Sequence, residues 1–120
     1  MVNSKYFKEI EFQRCSPGCS LQDMGQAFMN KLDRARELAG IPFVLTSAYR
    51  SPEWDRAKGR SGTGAHTMGV AVDIRCRTSR NRFLIVQALL HVGFNRIGIA
   101  DNYIHVDGSE THDNMVIWTY

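Results

Sequence analysis

The chain has 120 residues, enough for one domain spanning residues 1–120 and too few for a separate binding module. Its 43% hydrophobic and 22% charged content is that of a globular chain that buries a core without staples, which leaves any metal free for chemistry. A net charge of +3 without a basic run argues against a nucleic-acid partner, and no stretch approaches the ~18 apolar residues of a membrane span.

The opening segment, Met1 to Phe12, alternates charged and aromatic residues and lacks the apolar run of a signal peptide. The expectation is a chain made in the cytoplasm that meets any outer substrate only after release. Three cysteines, an odd number, argue against a disulfide framework. Cys15, Cys19 and Cys76 also fall short of a four-ligand zinc site, so reduced, partly buried thiols are expected.

Ser20 to Gly40 reads as the main helix. Ser20 and Asp23 resemble a capping box, Leu21, Met24, Phe28, Leu32, Ala35 and Leu38 form an apolar stripe, and Gly40 with Pro42 stops it. Phe43 to Tyr49 is β-rich and predicts a strand. Ser51-Pro52-Glu53 opens a short helix with proline at its first position. Residues 58–64 form a glycine-rich loop, and Gly69 to Ile74 reads as a second strand. Thr78 or Ser79 caps a helix running through Phe83, Val86, Leu89 and Leu90 to Gly93. Three strands follow, Phe94 to Ile99, Tyr103 to Asp107 and Met115 to Tyr120. Late strands joined by short turns predict an α+β domain, a small, mostly antiparallel sheet with helices packed on one side.

The chemistry is concentrated in two stretches. In Gly64–Asp73, His66 and Asp73 lie seven positions apart. On a strand, Gly69, Ala71 and Asp73 share one face while Val70 and Val72 point to the core. Two small side chains beside a carboxylate predict a hollow with the acid at its floor and His66 at its rim. In Tyr103–Asp107, Ile104 and Val106 face the core, so His105 faces away with Tyr103 and Asp107. Two histidines and a carboxylate, His66, Asp73 and His105, form a common catalytic zinc set that leaves a fourth position for water. Zinc acidifies water and polarises a carbonyl, which is what amide hydrolysis needs.

The pattern Ser47-Ala-Tyr-Arg-Ser51, His66-x2-Gly69-x-Ala71-x-Asp73 and Ile104-His-Val-Asp107 resembles the zinc D-Ala-D-Ala carboxypeptidases, and more closely their short, often phage-borne branch. The likeness begins at Tyr6-Phe7-x3-Glu11-Phe12, passes through Gly93-Phe-Asn-Arg-Ile-Gly98 and closes at Val116-Ile-Trp-Thr-Tyr120. It implies the fold shared with Hedgehog signalling domains, Zn2+ on His66, Asp73 and His105, and peptidoglycan peptides as substrate for a monomeric lysis enzyme. It also implies that the Ser47–Arg50 segment binds substrate, with the guanidinium of Arg50 on a C-terminal carboxylate or a polarised carbonyl.

Two positions depart from that pattern. Gly64 stands where relatives carry a serine, so a hydroxyl that would orient His66 is missing unless Thr63 or Thr67 replaces it, and its loss would weaken metal affinity more than abolish it. Asn102 and Tyr103 occupy the positions where relatives place a general base. Asp101, one position out of register, and Asp107, about 7 Å along the strand from His105, are the two alternatives. Tyr103 is placed to donate to a tetrahedral intermediate, and Trp54 to wall the substrate groove. Trp118 is expected in the core because it alternates with Val116 and Tyr120. His91 reads as a helix-end residue and His112 as exposed in a turn. The same gap in the base also allows a zinc-bearing binding or structural module without catalysis.

Overall fold

A computed structural model describes all residues, 1–120. Four helices, α1 (Glu9–Gln13), α2 (Gln26–Ala39), α3 (Pro52–Ala57) and α4 (Ser79–His91), accompany five strands. The strands are β1 (Leu45–Ser47), β2 (Ala71–Arg75), β3 (Arg96–Ile99), β4 (Tyr103–Asp107) and β5 (Val116–Thr119). They form one sheet in the order β1-β2-β4-β3-β5. The sheet is mixed: β1 with β2, β2 with β4 and β4 with β3 are antiparallel, whereas β5 runs parallel to β3 at the edge.

Alternation along β2 and β4 divides the sheet into two faces. Val72, Ile74, Ile104, Val106 and Ile97 are fully buried and join Phe28, Leu32, Ile85 and Leu89 of α2 and α4 in one core. The opposite face carries Asp73, His105 and Tyr103. The register lines up Ser47, Asp73, His105, Gly98 and Trp118 across all five strands in one row.

Several sequence boundaries move. The main helix does not start at Ser20. The Ser20–Asp23 capping box is present, but it closes a single 3-10 turn (Leu21–Asp23), and the chain is extended at Met24 before α2 begins. The cause is long-range: the Gly25 N–H donates to the Gly69 carbonyl, 2.9 Å, which pulls this segment against the His66 turn. Gly69 is also not a strand residue. It ends a 3-10 turn (Ala65–Met68) with φ +74°, and a Cβ there would fall 2.1 Å from the Asp23 carbonyl oxygen. Its small size serves this backbone crossing and not a hollow above the sheet. Leu38, Phe83 and Leu90 are exposed, so the buried faces of α2 and α4 run through Ala39 and through Ile85, Ala88 and Leu89 instead. The three cysteines are free, and burial pushes the Cys15 thiol up to about 12. No helix is long and apolar enough to cross a membrane.

Candidate metal centre

Three elements deliver the donors. Asp73 lies mid-β2 and pairs with His105 mid-β4, so ladder register alone puts the carboxylate beside the imidazole. His66 comes from the 3-10 turn that leads into β2. Asp73 Oδ1 lies 3.0 Å from His105 Nδ1 and 3.4 Å from His66 Nε2. Both histidines are buried, and the ligand atoms of all three side chains lie within 4.8 Å of one another.

The other ring nitrogens decide what can sit between them. His66 Nδ1 is 2.7 Å from the Ala48 carbonyl, an acceptor only, so that nitrogen carries its proton and Nε2 offers a lone pair inward. His105 Nε2 is 2.6 Å from Asp107 Oδ2 and donates to it, which leaves Nδ1 facing Asp73. Two neutral imidazoles would thus aim lone pairs at a carboxylate oxygen with no hydrogen between. Only a proton or a cation resolves that arrangement, so the donor set fits a divalent metal with nitrogen and oxygen preference.

Without a metal the proton takes that place. Burial would lower the His105 pKa, but hydrogen bonds with Asp107 and Asp73 outweigh it and raise the pKa above 6.5. Burial would likewise raise Asp73, yet His105 and His66 hold its carboxyl down to about 2.

Asp107 is almost wholly enclosed, at 1% exposure. Its Oδ1 accepts from Arg96 Nε, 2.7 Å, and from the Ser109 N–H, 3.0 Å, while Oδ2 accepts from His105. With three hydrogen bonds shared between its two oxygens, it orients His105 from an enclosed position. Burial opposes its ionisation, but His105 and Arg96 lower its pKa. Asp101 is exposed in the turn between β3 and β4.

Arg50 follows β1. Its Nη1 donates to Ser47 Oγ, 3.1 Å, and its Nε lies 3.3 Å from Asp55 Oδ1. Asp55, buried on α3, also accepts from the Gly62 N–H. Tyr103 is half-buried on the site face with its ring 5.6 Å from that of Tyr120. Burial and the neighbouring Tyr120 and Asp73 push its hydroxyl up to about 12, so it is a donor at neutral pH. Trp54 is half-buried on α3 with the Lys58 ammonium over its ring at 4.4 Å. His91 and His112 are exposed, and His112 Nδ1 lies 2.6 Å from Ser109 Oγ.

The profile of the Peptidase M15 family matches residues 5–107. The chain belongs to that family. Membership makes it a metallopeptidase by descent and indicates zinc-dependent peptidase activity, and the His66–Asp73–His105 group is a site that could hold the ion. No curated protein matches the chain.

Three features of this M15 chain were not found by sequence reasoning. Neither Thr63 nor Thr67 replaces the missing serine: their hydroxyls bond Ser61 and the Gly64 carbonyl, and the Ala48 carbonyl orients His66 instead. Arg96 holds Asp107, a role that its parity with Gly98 on β3 could have suggested. Trp118 lies on the site face, not in the core. Its ring centroid is 5.5 Å from that of His105, and the Arg96 guanidinium sits 5.1 Å from its ring.

Proposed function

We propose that this M15 chain hydrolyses a peptide bond in the stem peptides of bacterial peptidoglycan, as a D-Ala-D-Ala carboxypeptidase or an endopeptidase. The observation that carries the reading is the convergence of His66, Asp73 and His105 on one face of the sheet, with Arg50 beside them. Zinc held there supplies a Lewis acid that polarises the scissile carbonyl and acidifies an attacking water. Ala48 and Asp107 fix the two imidazoles, so the donors are oriented before substrate arrives. Arg50, steadied by Ser47 and Asp55, presents its remaining N–H groups to the substrate's carboxylate or to charge developing on the carbonyl. Tyr103, protonated at neutral pH, donates to the same charge. The carboxylate proposed to move the proton is Asp107, beside His105, or Asp101 in the turn before β4. The setting proposed is that of a monomeric phage or prophage lysis enzyme acting on the wall. The fold proposed is the one shared with Hedgehog signalling domains, with zinc on one sheet face.

One observation favours a second reading. No carboxylate other than Asp73 and Asp107 bonds the two histidines, and Asp107 is 1% exposed and already accepts from His105, Arg96 and Ser109. A zinc-bearing wall-binding or phage structural module would keep this geometry without turnover. Mass spectrometry of purified muropeptides incubated with zinc-loaded protein separates the two. The expected result is a chelator-sensitive product, with loss of one alanine marking a carboxypeptidase and a split stem an endopeptidase. Arg50→Ala is expected to slow it about 10²-fold or more. Bound zinc without products from several wall chemotypes between about pH 6 and 9, a range spanning the near-neutral pKa that zinc would give a bound water, would overturn the enzyme reading in favour of the module.

A further inference from the structure

We propose that Trp118 forms the wall against which the part of a peptide substrate lying away from Arg50 packs, making the site selective for longer peptides. This rests on the reading of the site as a peptidase.

The geometry begins with Gly98. It faces His105 on one side and Trp118 on the other in the row across the sheet. A Cβ on Gly98 would lie 2.7 Å from Cε2 and Nε1 of the indole, so the ring occupies the space a side chain would take. The indole therefore leans from the edge strand back over β3 toward the metal ligand. Arg96, fixed by Asp107, lies against the ring, which holds the indole in place. Tyr120 continues the aromatic surface, its ring 6.5 Å from that of Trp118 and 69% of its surface exposed.

A half-buried indole on an edge strand contributes nothing to the core on the other face of the sheet. What it offers is a rigid, flat, largely apolar surface beside His105, a type of group that binds well because it loses little side-chain entropy. The site face is then asymmetric about the metal ligands. On the β1 side, Arg50 supplies a positive end, suited to a terminal carboxylate. On the other side the floor runs over β3 to β5, two strand spacings or about 10 Å, the length of about three extended residues. A peptide lying across the strands with its carboxylate at Arg50 would run its preceding residues over Gly98 and along Trp118. The family match ends at residue 107, so this wall is built by a segment beyond it.

The test compares N-acetylated peptides of two and of five residues, both ending in D-Ala-D-Ala, on zinc-loaded protein. Binding is read from the tryptophan emission that differs between the wild type and Trp118→Phe, and turnover from alanine release. The five-residue peptide is expected to shift the Trp118 emission and bind at least tenfold tighter than the dipeptide. Trp118→Ala is expected to abolish that length preference by raising KM, with Trp118→Phe restoring part of it. Gly98→Ala, which displaces the indole and leaves Trp118 in the chain, is expected to reproduce the loss. If both peptides are cut and Trp118→Ala slows them by the same factor, the wall is structural only and the inference falls while the peptidase reading stands. If neither is cut but the longer one binds tighter and shifts the emission, the inference stands and the hydrolytic reading falls. Equal binding of both peptides with no change in emission overturns the inference whether or not they are cut.

Discussion

His105 is held at both ring nitrogens by carboxylates, Asp73 at 3.0 Å and Asp107 at 2.6 Å, and this one residue sets the pH behaviour of the site. In the metal-free protein its raised pKa means its contribution to stability is complete below 6.5 and lost as pH rises through the folded value. Asp73 has the opposite sign: its pKa falls from 3.8 to about 2, so its contribution is present above 3.8 and lost as pH falls toward 2. Metal-free protein is therefore expected to melt highest between these limits and to lose stability on either side. Zinc must displace the His105 proton, so the rise in melting temperature on adding zinc should grow with pH through neutrality. Melting curves with and without zinc between pH 3 and 9 check both signs. Asp107→Asn keeps the shape but weakens the hold on His105, and calorimetry should show zinc affinity reduced about 10- to 100-fold. Asp55→Asn loosens Arg50 without touching a donor to the metal. It is expected to lower kcat/KM about tenfold, the scale of coupling across one close ion pair, with zinc affinity unchanged.

Among the elements, β4 was fully legible because Ile104 and Val106 alternate with polar neighbours over its whole length, and the core face must be apolar on every strand. The same alternation misled on β5. Val116, Trp118 and Tyr120 share a face, but at the sheet edge no helix covers the other side, and Ile117 is 53% exposed. Periodicity names a face and says nothing of which face has a partner. The start of α2 was hidden for a different reason. The Leu21–Leu32 stripe is continuous, and only the crossing of Gly25 and Gly69 breaks the helix. That crossing also sets the turn carrying His66. Gly69→Ala would force a side chain into a left-handed conformation and against the Asp23 carbonyl. Denaturant unfolding should show a loss above about 3 kcal/mol, within the range of strained core changes, together with weaker zinc binding as the turn shifts. Which arginine pairs with Asp107 and the whole Asp55–Arg50 pair were not visible, since each joins residues of separate elements that only the finished fold brings together.

At the scale of the whole molecule, one sheet does two jobs: its inner face completes the core with α2 and α4, and its outer face presents the metal donors. The donors were legible as residue types because His66, Asp73 and His105 lie in short motifs. Their convergence depends on the strand order β1-β2-β4-β3-β5, which places β2 beside β4 although α4 and β3 intervene in sequence. Zinc bridging β2, β4 and the His66 turn should therefore stabilise the whole sheet, by about 4 kcal/mol at free zinc a thousandfold above Kd. The most direct measurement is the X-ray absorption spectrum of the zinc-loaded protein. One zinc per chain, with two imidazole nitrogens at about 2.0–2.1 Å, oxygen at about 2.0–2.2 Å and no sulfur, is the predicted result. Sulfur at about 2.3 Å, which would move the metal to the cysteines, or a spectrum without imidazole scattering, would contradict it.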